Sequence, residues 1–240
     1  MSHINDASKP LILIGSNSAL FFIQDACDQH GIKIHGIIDN DYYGNTTDLE
    51  GIPVIDTELS FDDPEKLVDY KENFNFFLAT NWQPNNDPIS ERNRDKRKML
   101  MSLIDQYDLP CISLVDRTAF VQKTNVIGKS VFIDALVYIS AQNIIEDYVG
   151  IYVNAKIGYK NIIKRNSIIQ RSVGLMHRTL IEEDVYFSLH SGVFVSDITF
   201  KRGTVIHPCL CMGRGTEENE VVSLAGKDLR RVYNLQTIVN

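Results

Sequence analysis

Residues 127–162 read IGKSVF IDALVY ISAQNI IEDYVG IYVNAK IGYKNI when the chain is cut into sixes, and every block opens with isoleucine. The same phase extends from Val115 to Cys211, and among these opening residues only Thr199 is not apolar. A period of six fits neither an amphipathic helix nor an alternating strand. It is typical of a parallel β-helix, in which three successive blocks wind once around three sides.

The fifth residue of each block should also point inward. On one side of the coil this position is polar and recurs in every third block: Asn125, Asn143, Asn161, Thr179 and Asp197. Strands stacked about 4.8 Å apart would place these side chains in a ladder, where each can satisfy the next. Cys209 and Cys211 also fall at inward positions and are predicted to be small core residues.

The first half of the chain has a different pattern. PLILIGS is a short apolar run, NSALFFIQDACDQHG has helical spacing, and IPVI and NFFLAT again resemble strands. Residues 90–107 form a further helix candidate, in which ERNRDKRK (91–98) is interpreted as a solvated face. We predict a Rossmann-like α/β domain at 1–108, a parallel β-helix at 109–216 and a C-terminal cap or tail at 217–240.

Composition narrows the setting. The 240 residues are 44% apolar and carry a net charge of −7, which argues against non-specific nucleic-acid binding. No apolar run is long enough to span a membrane and the first ten residues do not resemble a signal peptide, so a cytoplasmic protein is expected. Four scattered cysteines provide no disulfide framework.

The order of the two halves resembles that of the hexapeptide-repeat sugar O- and N-acetyltransferases of the sialic-acid O-acetyltransferase type. The branch that acetylates the amine of nucleotide-linked amino-deoxysugars is the most similar. The resemblance is carried by LILIGSNSALFFIQDACDQHG, IHGIIDND, LEGIPVI, ISLVDRTAFVQKTNVIGKSVFI and the repeats through Cys211. It implies the left-handed coil, a homotrimer with active sites at subunit boundaries, and acetyl-CoA as co-substrate.

The resemblance also implies site residues. His177, at the third position of its block, matches the family's general base, and Tyr186 stands where a second histidine is often found. Arg178 replaces a common acidic neighbour, a role that Glu182 or Glu183 could take. The nucleotide side of the site would use the loop and acidic residues Gly15, Ser16, Asn17, Ser18, Asp39 and Asp41. Coenzyme A would be bound by Lys227, Arg230 and Arg231.

The expected function is therefore acetylation of the amino group of a nucleotide-linked amino-deoxysugar in surface-glycan synthesis, by direct attack on the thioester. Arg178, Tyr186 and the loop after the first strand favour an alternative, a trimeric sugar-nucleotide binding or scaffold protein without activity. Acetyl transfer to a free sugar hydroxyl is a third possibility. No metal is expected, because His177, His190 and His207 fall on three different sides of the coil.

Overall fold

A computed structural model describes residues 3–16, 20–81, 83–84 and 88–223 of the chain. The chain separates into two compact units, Met1–Leu114 and Val115–Asn240. Cys111 and Ser113 form bridges with Phe76 and Ile4, so the first unit continues from the predicted boundary at 108 to Leu114.

The first unit contains one five-stranded sheet. Its strands and helices are β1 (Leu11–Ile14), α1 (Leu20–His30), β2 (Ile34–Ile38), β3 (Asp48–Leu49), β4 (Ile52–Asp56), a 3-10 helix (Glu58–Asp62), α2 (Pro64–Asn73), β5 (Asn75–Leu78) and α3 (Pro88–Gln106). The strand order is β3-β4-β2-β1-β5, and only β3 is antiparallel to its neighbour. All four residues of β1 are buried, as expected for a central strand in a parallel sheet. The finer assignment of a Rossmann-like domain stays a prediction.

The second unit consists of two-residue strands in three parallel sheets. One sheet contains β6 (Leu114–Val115), β9 (Phe132–Ile133), β12 (Gly150–Ile151), β15 (Ile168–Ile169), β18 (Tyr186–Phe187), β21 (Val205–Ile206) and β23 (Val221–Val222). The next contains β7 (Phe120–Val121), β10 (Tyr138–Ile139), β13 (Lys156–Ile157), β16 (Gly174–Leu175), β19 (Gly192–Val193) and β22 (Cys211–Met212). The third contains β8 (Val126–Ile127), β11 (Ile144–Ile145), β14 (Ile162–Ile163), β17 (Leu180–Ile181) and β20 (Thr199–Phe200). These stacked parallel sheets fit the predicted left-handed β-helix.

The predicted polar ladder is confirmed for its first four members. Asn143, Asn161 and Thr179 each donate a backbone N–H to the Oδ1 of the asparagine one coil before, at 2.8 Å in all three cases. All four side chains of the ladder, including that of Asn125, are at most 1% exposed. The main interaction therefore runs from backbone to side chain, which satisfies buried N–H groups along one side of the coil.

The corners between strands mark the repeat independently of the side chains. A non-glycine residue with φ between 52° and 62° occurs at every sixth position from Ser130 to His190. The next such residue is Asp197, seven positions later, so this side of the coil contains one extra residue. The strand pairing shows the same step, because Ile145 is paired with Ile163 whereas Ile181 is paired with Phe200.

The extra residue corrects the predicted phase beyond Val193. Phe200 is fully buried in place of Thr199, and Met212 is buried in place of Cys211. Cys209 and Cys211 are both exposed, so their prediction as core residues is wrong. Asp197 is also exposed and does not continue the ladder.

The coil continues past the predicted end at 216. β23 pairs with β21 through Val205 to Val221 and Ile206 to Val222, which adds a further strand to the sheet. Residues 224–240, the greater part of the predicted cap or tail, lie outside the described residues.

Candidate functional site

His177 follows β16 on the coil and is half-buried. Its Nδ1 accepts a hydrogen bond of 3.2 Å from the backbone N–H of Tyr159, one coil before. A Cβ at Gly158 would lie 2.3 Å from this Nδ1. Glycine is therefore required at position 158, because any side chain there would displace the imidazole from its contact.

The face of the His177 imidazole stacks on the ring of Tyr159. The rings of Tyr159 and His177 lie 4.0 Å apart between centroids, with an angle of 21° between their planes. Tyr159 thus contacts His177 twice, through its backbone N–H and through its ring. The imidazole is confined in both position and plane.

Arg178 belongs to the same cluster. Its Nε and Nη2 donate to the two carboxylate oxygens of Asp197 at 2.7 Å each, and its Nη1 donates to the Tyr159 hydroxyl at 3.1 Å. The hydrogen bonds from Arg178 hold the pKa of Asp197 below its usual range. Asp197, Arg178, Tyr159 and His177 form one connected group, which we call the His177 cluster.

The carboxylates predicted to orient His177 have other partners. Glu182 accepts from Lys201 at 3.2 Å and from the backbone N–H of Arg202 at 3.0 Å. Glu183 accepts from Arg202 and lies 3.6 Å from the ammonium of Lys164. Neither carboxylate bonds to His177, so the suggestion that one of them replaces the missing acidic neighbour is wrong.

The predicted substrate residue Tyr186 lies in β18 and is 5% exposed. Burial raises the pKa of its phenol to about 12. Its contact with a substrate stays a prediction.

The first unit brings together three of the residues predicted for the nucleotide. Ser16 Oγ donates to Asp39 Oδ2 at 2.8 Å, and the backbone N–H of Asp41 donates to Asp39 Oδ1 at 2.9 Å. Gly15 has a φ of +68°, and a Cβ there would lie 2.5 Å from Leu100. Glycine therefore allows the turn after β1. Asn17 and Ser18, as well as Lys227, Arg230 and Arg231, lie outside the described residues.

Helix α3 supplies cations that the sequence analysis missed. Lys96 Nζ lies 2.6 Å from Asp39 Oδ1 and 2.7 Å from Asp41 Oδ2, and Arg92 donates to Asp41 at 2.8 Å. Burial works to lower the pKa of Lys96, but its bonds to the two aspartates outweigh this effect and raise it. The interpretation of residues 91–98 as a solvated face is wrong at Lys96, whose side chain is 14% exposed, and at Arg97, which is buried and donates to the carbonyl of Thr80.

Glu58 is a second residue that sequence reasoning missed. It is 4% exposed, and its Oε2 accepts from the backbone N–H of Asn40 at 2.7 Å while its own N–H donates to Asn40 Oδ1 at 3.1 Å. Its Oε1 has no hydrogen-bond partner within the described part of the chain. Burial raises the pKa of this carboxyl. Glu58 therefore holds Asn40 in place, and Asn40 lies between Asp39 and Asp41 in the chain.

Within the described ranges, no three His, Cys, Asp or Glu side chains are grouped so that they could hold a metal ion. No described helix is both long and apolar enough to cross a membrane.

No protein-family model matches the chain, and no curated protein matches it. Solved structures do. The chain is similar to a mutant of perosamine N-acetyltransferase from Caulobacter crescentus in complex with CoA and GDP-perosamine, at 17% identity and a TM-score of 0.74, over 90% of this chain and 93% of that one. It is similar to the acetyltransferase domain of PglB from Neisseria gonorrhoeae in complex with acetyl coenzyme A, at 16% identity and a TM-score of 0.74, over 89% and 95%. It is also similar to WeeI from Acinetobacter baumannii, at 12% identity and a TM-score of 0.53, over 90% and 95%. The likeness in fold therefore includes both units of the chain.

Proposed function

We propose that the protein is an acetyl-CoA-dependent N-acetyltransferase acting on the amino group of a nucleotide-linked amino-deoxysugar in surface-glycan synthesis. The supporting observation is the likeness in fold, over about nine-tenths of the chain, to an N-acetyltransferase in complex with CoA and GDP-perosamine. The resemblance to the sialic-acid O-acetyltransferase type supports the same class. The protein would be a cytoplasmic homotrimer.

The proposed reaction is direct attack on the thioester. The amine nitrogen bonds to the acetyl carbon, the C–S bond breaks, the nitrogen loses one proton and the departing thiolate gains one. His177 would lie at the reacting groups, supported by its position on the coil and by the glycine that admits its ring. The residues Gly15, Ser16, Asn17, Ser18, Asp39 and Asp41 would bind the nucleotide, Tyr186 would contribute to the sugar site, and Lys227, Arg230 and Arg231 would bind coenzyme A.

The test measures thiol release from acetyl-CoA with a panel of nucleotide-linked amino sugars and free sugars. We expect release with at least one nucleotide-linked amino sugar and a loss of about 10²- to 10⁴-fold in His177→Ala, because removing a group that acts on the transition state costs that much. The control is His190→Ala, the same substitution at an exposed histidine elsewhere in the second unit. No release with any acceptor, or full activity in His177→Ala, would contradict the proposal.

One observation favours a second function, sugar-nucleotide binding without catalysis. Nδ1 of His177 already accepts from a backbone N–H, and a base acting at Nε2 would need its hydrogen on Nδ1, against the Tyr159 N–H. Such a protein would be stabilised by nucleotide-sugars, by about 2.7 kcal/mol at a ligand concentration of 100 Kd, and would release no thiol.

A further inference from the structure

The two ring nitrogens of His177 have different surroundings. Nδ1 faces the N–H of Tyr159 at 3.2 Å and must therefore supply a lone pair. Nε2 has no hydrogen-bond partner among the residues that the structure describes. In neutral imidazole one nitrogen carries the hydrogen and the other the lone pair, so the hydrogen belongs on Nε2. The ring offers a bound molecule a donor.

The Tyr159 ring prevents the imidazole from turning away from this contact. A flip of the ring by half a turn would place a carbon at the Tyr159 N–H and leave that donor unpaired. The parallel stack at 4.0 Å restricts any tilt through which the ring could escape. Tyr159 therefore selects one orientation and one tautomer together.

Asp197 and Arg178 hold Tyr159 in turn. The guanidinium binds Asp197 through two parallel bonds, a rigid arrangement for an arginine, and its remaining Nη1 reaches the Tyr159 hydroxyl. Asp197 is the corner residue that ends the seven-residue side of the coil. The extra residue thus has a chemical consequence, because it belongs to the segment that brings Asp197 to Arg178.

We propose that Asp197, Arg178 and Tyr159 hold His177 as the neutral Nε2–H tautomer, so that His177 acts as a hydrogen-bond donor to the acyl oxygen and not as a base. This inference rests on the proposed acetyl transfer. Negative charge develops on the thioester oxygen as the amine attacks, and a fixed N–H donor stabilises that charge. The amine proton passes to solvent water and the thiolate takes a proton from solvent, so His177 keeps the hydrogen with which it began.

A direct test is nitrogen NMR of the histidine rings in the full-length protein without substrates. We expect His177 to show an unprotonated Nδ1 and a protonated Nε2 at neutral pH. In Tyr159→Leu the signals should move toward the average of the two tautomers. Tyr159→Phe keeps the stack but loses the hydroxyl that Arg178 reaches, so it should give a smaller shift in the same direction, similar to that of Asp197→Asn. A wild-type His177 with its hydrogen on Nδ1 would overturn the inference.

The role of the ion pair needs a matched control. Asp197→Asn should shift the His177 signals toward the average, because Arg178 loses its charged partner. Arg202→Met removes an exposed pair with Glu183, also formed between neighbouring coils, and should leave the His177 signals unchanged. If Asp197→Asn and Arg202→Met changed the His177 signals equally, the Asp197–Arg178 pair would have no specific effect on His177, which would contradict the proposed role.

A kinetic test separates donor from base. Glutamine can place an N–H near the position of Nε2 but cannot accept a proton at neutral pH. A donor role predicts that His177→Gln stays within about tenfold of wild type while His177→Ala loses about 10²- to 10³-fold in kcat. Equal losses in the two variants would support a base. If the wild type transfers no acetyl group at all, the proposed function fails, and the NMR result still decides the tautomer.

Discussion

Asn143 shows at the scale of one residue how the coil satisfies its buried groups. Its Oδ1 accepts from the Asn161 N–H, and its Nδ2 donates to the carbonyl of Ser140 at 2.9 Å. Asn143→Leu keeps a similar volume, but it leaves the buried N–H of Asn161 without its acceptor and the carbonyl of Ser140 without its donor. We expect a loss on the order of 3 kcal/mol in the free energy of unfolding, measured in urea.

Thr124→Ala is the matched control for Asn143. Thr124 Oγ1 accepts from the Gln142 N–H at 3.1 Å, again one coil apart, but in an exposed place. Water can replace this bond, so the loss should stay below about 1 kcal/mol. Equal losses at Thr124 and Asn143 would mean that burial does not determine how much the ladder hydrogen bonds contribute to the free energy of unfolding.

The buried carboxyl of Glu58 makes the stability of the folded protein depend on pH. Because burial raises its pKa in the folded protein, the folded state holds this proton more tightly than the unfolded state does. The stabilisation is complete below about pH 4.3, the ordinary pKa of glutamate, and is lost as pH rises through the raised value. We expect the wild-type free energy of unfolding, relative to that of Glu58→Gln, to fall over this range in urea titrations. A difference between the two proteins that stays constant with pH would contradict a raised pKa at Glu58.

The residues that sequence reasoning found and missed differ in one physical respect. Asn125, Asn143 and Asn161 were predictable, because each coil takes three blocks of six and a buried amide must meet its equivalent in the next coil. Glu58 and Lys96 lie in parts of the chain without a repeat. Their burial depends on how α3 and the 3-10 helix pack within the first unit, and no spacing along the chain encodes that packing.

Among the strands of the coil, β20 carries Phe200, whose substitution tests the corrected phase. It is fully buried and packs edge-on against Phe187 at 4.9 Å between ring centroids, whereas Phe194 is 59% exposed. Phe200→Ala should lower the free energy of unfolding by about 3–5 kcal/mol, and Phe194→Ala by less than about 1 kcal/mol. Urea unfolding of both variants decides between the two phases. A larger loss in Thr199→Ala than in Phe200→Ala would restore the phase predicted from the sequence.

The extra residue escaped prediction for a local reason. Beyond Val193 the adjacent residues Val205 and Ile206 are both apolar, as are Cys211 and Met212, so the pattern of sixes survives a shift of one position. Only Thr199 beside Phe200 signals the change. A side of seven residues still returns the chain to the next strand, because the corner at Asp197 adopts the same left-handed backbone as the regular corners.

Over the full chain, the change in periodicity near residue 115 was enough to predict a strand-and-helix first part and a coiled second part. The chemistry was less accessible. His177 could be found as a candidate from its place in the repeat, but its tautomer depends on the backbone N–H and the ring of a tyrosine in the coil before. Contacts of this kind join residues on successive turns of the β-helix. They depend on the register of those turns, which the sequence pattern alone does not give.

The outer surface of the coil carries a row of exposed apolar residues that bears on how the chain assembles. Val126, Ile144 and Ile162 stand opposite one another at the outward positions of β8, β11 and β14, and are 59%, 43% and 37% exposed. An apolar ladder of this kind is typical of a surface covered by another chain.

We expect the wild type to sediment with a mass of three times the 27.3 kDa of one chain. Ile144→Glu should reduce this to one chain mass with unchanged circular dichroism, because a charge would be buried without a partner at the centre of the contact. Lys156→Glu, at an exposed outward position on a different sheet, should remain trimeric. A monomeric wild type, or a trimer that tolerates Ile144→Glu, would rule out assembly through this ladder.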